Sequence, residues 1–270
     1  MGLEGRGVQS IEVGGRLLAA LVEAAQPTML RDLASRAKMA PAQAHAYLVS
    51  FRKLGIVDQD PASGRYLLGP YALQLGLARM RSFDPLRMAA VATTELAAEM
   101  GLMTTVSVWG THGPTIIQVQ EAAQPVHVNL RAGAVFTITG TATGHLFAAF
   151  LPDAIVRPLV RAELKAGGAE RQIGLPTSMP ALELTVADIR RLGYATTQGI
   201  PVPGVNAVSV PVFDYTGQLQ FAVTVIGHAG VLAVDPDSAQ VAQVDRFGRR
   251  LSAELGFDPD REAGATARAK

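Results

Sequence analysis

Apolar residues recur along this chain with two periods, and the change between them divides it into elements. Between residues 10 and 54 the spacing is helical. Val13, Leu17, Leu18, Leu21 and Val22 make one face of a helix over 10–25, with Ser10 as its expected N-cap. Gly14 and Gly15 conflict with that helix, each costing on the order of 1 kcal/mol against alanine. Pro27-Thr28 is expected to open the next helix, with Leu30, Leu33, Ala34 and Ala37 as its buried side. A further helix opens at Met39-Ala40-Pro41, where proline's missing N–H would have no partner anyway. Ala44, Tyr47, Leu48, Phe51 and Leu54 form its apolar stripe, and Gly55 stops it. The runs then shorten. Residues 56–59 and 65–68 read as strands around a Pro61-Ala62-Ser63-Gly64 turn. Helix, helix and hairpin over 30–69 is the order of a winged helix-turn-helix, a module that reads DNA.

Beyond it, 70–81 reads as a connecting helix, and Asp84-Pro85 caps another that runs to Met100 and ends at Gly101. Strands follow over 104–109, 115–121 and about 126–130. Helices are expected over 141–151, 153–165 and 181–192, with a Gly/Pro/Ser-rich loop over 166–180. Residues 206–213 and 219–226 form strands around an Asp214-Tyr-Thr-Gly217 turn. Asp235-Pro236 is expected to open a final helix through Leu255. Hairpins bracketed by helices, without strict β-α-β alternation, give an α+β domain with a mainly antiparallel sheet. The expected division is a DNA-binding head at 1–70, a linker helix at 71–83, a second domain at 84–258 and a disordered tail at 259–270.

Side chains off the apolar stripe carry the chemistry of the head. Gln43 and Ser50 can bond base edges, and His45 shares their helix. Arg31, Arg36, Lys38, Arg52, Lys53 and the wing residue Arg65 can meet phosphates. The alternative for this segment is a helical hairpin used only for dimerisation. Net charge is +1, but residues 1–82 hold 10 Lys and Arg against 6 Asp and Glu, whereas 83–258 hold 11 against 15. A basic head on an acidic body fits phosphate binding.

The chain contains no cysteine, which excludes disulfides, thiolate nucleophiles and Cys-ligated zinc. The first residues lack the basic-then-apolar order of a signal peptide, and no segment approaches roughly 20 apolar residues in a row. A cytoplasmic protein without membrane association is expected. There is no phosphate loop, no His-Glu-x-x-His pair and no Gly-x-Ser-x-Gly elbow. The histidines, at 45, 112, 127, 145 and 228, are not at metal-ligand spacing. Neither an enzyme nor a cofactor is expected.

The head contains Val8-Gln9-Ser10-Ile11-Glu12, Ala44-His45, a run from Leu54-Gly55-Ile56 to Asp60-Pro61, and Gly64-Arg65-Tyr66. The body contains Ala142-Thr143-Gly144, Gly193-Tyr194-Ala195, Gly204-Val205 and Pro211-Val212-Phe213-Asp214. In this order and spacing, over about residues 8–258, the chain resembles the IclR family of bacterial transcriptional regulators. The resemblance implies a winged helix-turn-helix joined to a GAF-like effector domain. It also implies double-stranded promoter DNA and a small-molecule effector as partners, and a homodimer or dimer of dimers. The chain departs from the family pattern at several places. Ala42-Gln43 stands where a Ser-Thr pair is common, and Ala46 where an Arg often follows the His. His145 replaces a common lysine, and Thr196-Thr197-Gln198 replaces an acidic run.

An effector site wants an apolar wall with a few placed polar groups. Ala142, Thr143 and Gly144 open a helix, where free N–H groups favour a carboxylate. Val205, Ala207, Thr224 and Ile226 alternate on two paired strands and can face one side together, with Thr197 and Phe136 completing the set. These positions match effector-contacting positions of the family the chain resembles. The expected ligand is a small carboxylate or aromatic acid, and the expected function is control of a catabolic operon. A second reading is an enzyme or interaction module on a GAF-like body, with the head used for dimerisation. Sulfoxide-reducing GAF enzymes need cysteine, so that variant is disfavoured.

Overall fold

The computed structural model describes residues 7–121, 128–166 and 175–259. The chain divides between Phe83 and Asp84 into two compact units.

The first unit runs α1 (Gln9–Ala24), α2 (Leu30–Arg36), α3 (Pro41–Lys53), β1 (Val57–Gln59), β2 (Tyr66–Leu68) and α4 (Pro70–Ser82). Leu17, Leu33 and Leu48 are fully buried at its centre, with Ala44, Val57 and Tyr66 around them. Each such leucine contributes about 1.5–3 kcal/mol through removal from water. Gly14 is explained by this packing. A Cβ there would lie 3.0 Å from both the Tyr47 and Phe51 rings of α3, so glycine lets α1 sit close to that helix.

Several expectations are corrected. The α1 N-cap is Val8, with no side-chain bond, and Ser10 lies inside the helix. Pro27-Thr28 does not start α2. Thr28 exchanges backbone hydrogen bonds with Tyr66 and adds a rung to the wing. Leu54 leaves the α3 stripe, because as C-cap it turns outward and is 61% exposed. Gly55 adopts φ +71°, the left-handed conformation that turns the chain into β1.

The second unit runs α5 (Pro85–Met100), β3 (Met103–Gly110), β4 (Gly113–Gln120), α6 (Ala142–Phe150), α7 (Asp153–Ala166), α8 (Met179–Leu192), β5 (Ala195–Gln198), β6 (Val205–Phe213), β7 (Leu219–His228) and α9 (Ala239–Glu254). Asp84 caps α5, its carboxylate accepting from the Leu86 and Arg87 amides. The sheet is antiparallel, in the order β4-β3-β7-β6-β5. Its two faces carry different helices. Thr104 donates to the Thr93 carbonyl of α5, and Gly248 of α9 packs on Val210, so α5 and α9 share one face. Helix α6 lies on the other face, where Thr143 meets Thr224. Val156, Val160, Leu182, Val186 and Ile189 of α7 and α8 join α6 in one core with Leu146 and Phe147.

Here too the pattern misled in places. Val128, Asn129 and Leu130 form no strand, and residues 126–127 lie outside the described residues. Helix α8 begins at Met179, with Ser178 as its cap. Helix α9 begins at Ala239. Residues 235–238 form a turn closed by the Ser238 amide on the Asp235 carbonyl, and Ser238 is the cap. Strand β5 was not expected. Of the tail, residues 260–270 lie outside the described residues, as do 167–174 of the expected loop.

Candidate functional site

Two sets of residues carry candidate chemistry, one in each unit. In the first unit, Arg31 and Arg36 stand on α2, Lys38 in the turn after it, Gln43, His45, Ser50, Arg52 and Lys53 on α3, and Arg65 on the wing. All nine are exposed. Three of them are engaged within the protein. The Arg52 guanidinium donates to Gln59 Oε1 at 2.8 Å, and Gln59 Nε2 donates to the Gly64 carbonyl at 2.9 Å, so Arg52 ties α3 to the wing. The Ser50 hydroxyl donates to the Ala46 carbonyl at 3.2 Å, which leaves its oxygen as an acceptor. Arg65 reaches back to the Pro27 carbonyl at 3.3 Å.

In the second unit, a cavity of about 140 Å³ opens between the first turn of α6 and the sheet. Phe136, Ala142, Thr143, Thr197, Val205, Ala207, Thr224 and Ile226 line it. Strand register explains the convergence: Thr197 pairs with Ala207, and Ala207 with Ile226, so side chains of three strands share one face. Among the described residues, no charged side chain lines the cavity.

Gly144 does not line it. Its amide is taken by Thr141 Oγ1 at 2.9 Å, and its Cα packs against the backbone of Thr137 and Ile138. Helix α6 therefore offers the cavity its first two positions, Ala142 and Thr143, whose amides have no acceptor within the helix.

Val128, Leu130, Thr141, Ile200, Pro201 and Val202 complete the lining and were not anticipated. Thr141 could have been found as an N-cap three residues before Gly144. Val128 and Leu130 read as strand from their alternation, and Ile200, Pro201 and Val202 lie in an irregular segment that carries no period.

The polar groups of the cavity are ordered. Thr224 Oγ1 donates to Ser209 Oγ at 2.9 Å, which commits its only proton. The 2.7 Å contact between Thr143 and Thr224 is then donated by Thr143, whose oxygen keeps a free lone pair. Thr197 Oγ1 is buried and has no partner among the described residues. A groove of about 460 Å³ lies elsewhere in this unit, between the end of α8, β6 and α9. It is larger, but none of the buried side-chain polar atoms that lack a partner lines it.

Behind the cavity, the Glu163 carboxylate of α7 accepts from the Ile138 amide at 2.7 Å, the Thr139 amide at 2.9 Å and Thr139 Oγ1 at 3.0 Å. It thereby holds the segment that leads into α6. His145 on α6 bonds the Thr139 carbonyl through Nε2 at 3.1 Å. A carbonyl only accepts, so Nε2 carries the proton, and the buried Nδ1 has no partner among the described residues.

Residues 78–253 match the family model for the bacterial transcriptional regulator IclR C-terminal domain, and residues 10–61 match that for the IclR helix-turn-helix domain. The chain belongs to the IclR family of transcriptional regulators. Relatives align along nearly its whole length. The glycerol operon regulatory protein of Streptomyces griseus is 28% identical over 94% of this chain and 97% of its own. The regulator XynR of Escherichia coli K12 is 24% identical over 93% and 98%. Among solved structures, HmgR of Pseudomonas aeruginosa superposes with a TM-score of 0.80 at 34% identity, covering 93% of this chain and 100% of that one. An IclR regulator from Silicibacter sp. TM1040 shares the fold with a TM-score of 0.77 at 22% identity. As an IclR-family member the chain is a DNA-binding transcriptional regulator. No helix among the described residues is long and apolar enough to cross a membrane.

Burial of His145 in this IclR domain pushes its pKa below the ordinary value, against smaller opposing effects of the Thr139 hydrogen bond and the Glu163 charge. A base whose folded pKa lies below its unfolded one binds fewer protons when folded. Its stabilising contribution is full above the unfolded value of about 6.5 and is lost as pH falls from there toward the folded value. Urea midpoints are expected to fall between pH 7 and pH 5.5, with a slope from this group of at most about 1.4 kcal/mol per pH unit. His145→Gln should remove that part of the slope. Equal slopes in both proteins would contradict the assignment.

Proposed function

We propose that this regulator docks α3 in the major groove of promoter DNA and senses a small carboxylate in the cavity beneath α6. In this reading Gln43 and Ser50 stand nearest base edges. Arg31, Arg36, Lys38, Lys53 and Arg65 meet phosphates, with His45 beside them, and Arg52 braces the wing against α3. The carboxylate sits at the first turn of α6, where the Ala142 and Thr143 amides supply donors and the helix dipole favours negative charge. Val205, Ala207, Ile226 and Phe136 hold its apolar or aromatic body. The observation that carries the reading is the buried, unpaired Thr197 hydroxyl lining the same cavity. A buried polar group without a partner costs about 1–3 kcal/mol, which a ligand oxygen would recover.

The relatives named for a glycerol operon support control of a catabolic operon, in a cytoplasmic regulator rather than an enzyme. Self-association fits α4. None of its residues is buried, and Leu73, Leu77 and Met80, at 65%, 45% and 53% exposed, share one side with Gly76. A second copy of the chain is the partner that would cover it, giving a homodimer and, by a further contact, a dimer of dimers.

Calorimetry with aliphatic and aromatic acids, each beside its neutral amide, tests the effector. The acid should bind and the amide should not. Thr197→Val should weaken the acid by about 0.5–1.5 kcal/mol, or up to about 3 if the bond is charge-assisted. Binding only of a sugar or a cation, unaffected by Thr197→Val, would remove the carboxylate from this cavity. For the head, Lys53→Ala should weaken binding to all duplexes alike and flatten the salt slope by about 0.9.

A further inference from the structure

Helix α3 has an outward side of unusual chemistry for a DNA reader. Leu48 and Ala44 are fully buried, and the positions opposite them are Ala42, Ala46, Val49 and Lys53, at steps of four, three and four. All are exposed. Val49, at 36%, is among the exposed large apolar side chains. Gln43 and Ser50 flank this row on one side, and His45 and Arg52 on the other. The polar flanks are partly spent inside the protein. The Ser50 proton goes to the Ala46 carbonyl and the Arg52 guanidinium to Gln59. The centre of the exposed face therefore offers methyl groups and no hydrogen-bonding side chain until Lys53 at its end.

A major-groove edge presents donors, acceptors and, on thymine alone, a C5 methyl group. An apolar row pressed on guanine, cytosine or adenine would strip water from polar edges and return nothing. Pressed on thymine it buries a methyl against a methyl. We propose that Ala42, Ala46 and Val49 are further specificity-determining residues of the reading helix, beside Gln43 and Ser50, and that they select thymines by their C5 methyl groups. The free Gln43 amide beside the row suits an adjacent adenine, which it can bond with donor and acceptor together. The inference rests on the reading of α3 as the groove helix.

The experiment uses the full chain and a duplex enriched by it from a random-sequence library. The duplex is then synthesised with thymine or with deoxyuridine, which lacks only the C5 methyl. Deoxyuridine should weaken binding roughly fourfold for each methyl contact removed, at an unchanged salt slope. Restoring thymine singly should recover affinity at a few contiguous positions. Val49→Ala, at an exposed position outside the core cluster of the head, should narrow the thymine-to-deoxyuridine ratio. Equal binding of the two duplexes overturns the proposal. So does a ratio that Val49→Ala and Ala46→Ser leave unchanged, since the methyls would then act through duplex shape. If Lys53→Ala and Gln43→Ala leave affinity and salt slope untouched, α3 is not the groove helix, and the underlying reading fails with the proposal.

Discussion

Gly144→Ala is expected to destabilise the second unit by about 3 kcal/mol, the upper range for forcing extra atoms into a packed core. Helix propensity alone gives the opposite sign, since alanine gains about 1 kcal/mol over glycine inside a helix. The structure decides between them. A Cβ at this position would overlap the Thr137 carbonyl oxygen and lie 2.6 Å from that of Ile138. Both contacts are backbone and cannot rotate away. Relief would require α6 to lift from the 137–138 segment, breaking the Thr141 cap on the Gly144 amide and opening the cavity roof. Trp109 provides the readout. It is the sole tryptophan and its ring packs 5.7 Å from Phe147 of α6. Urea unfolding followed by its fluorescence should move to a clearly lower midpoint. A midpoint that stays or rises would show that α6 is not held at this distance.

Glu163→Ala should have the second-largest effect, again about 3 kcal/mol, the upper range for hydrogen bonds to a charged group. The carboxylate gathers two amides and a hydroxyl of Ile138 and Thr139. Ile138 is fully buried, so its amide depends on this carboxylate as acceptor. Because that segment leads into Thr141 and the first turn of α6, carboxylate binding should weaken together with stability. Glu163→Gln keeps one acceptor oxygen and should fall between wild type and alanine in both measurements. Wild-type melting and affinity in Glu163→Ala would refute the role.

What was legible in the sequence had a local cause. The Ala44–Tyr47–Leu48–Phe51 stripe, the Asp84 cap and the paired runs of β6 and β7 follow from period and cap chemistry, and the observed elements agree closely with them. What was missed depends on distant chain. Thr28 becomes a strand rung only because Tyr66 lies beside it. Strand β5 is four residues long, too short and too polar to show a period, and exists because β6 offers an edge. Val128 and Leu130 have strand-like alternation but wall the cavity instead of pairing. The apolar and threonine positions of the cavity could be named from alternation and a helix start. The donor order Thr143 to Thr224 to Ser209 could not, because it needs the register of β6 on β7 and the seat of α6 above both. Gly14 looked like a defect in α1 until the rings it faces were located.

The strand order has a consequence for synthesis. Strand β3 closes on β7, whose partner residues lie more than a hundred positions later in the chain. As the polypeptide emerges, α1–α4 can close around a core complete within 83 residues, and β3–β4 can fold as a local hairpin. The cavity cannot exist then, since Thr224 and Ile226 arrive with β7. Joining distant segments is the slow part of folding such a topology. On a ribosome, the helix-turn-helix unit is finished well before the unit that holds the cavity.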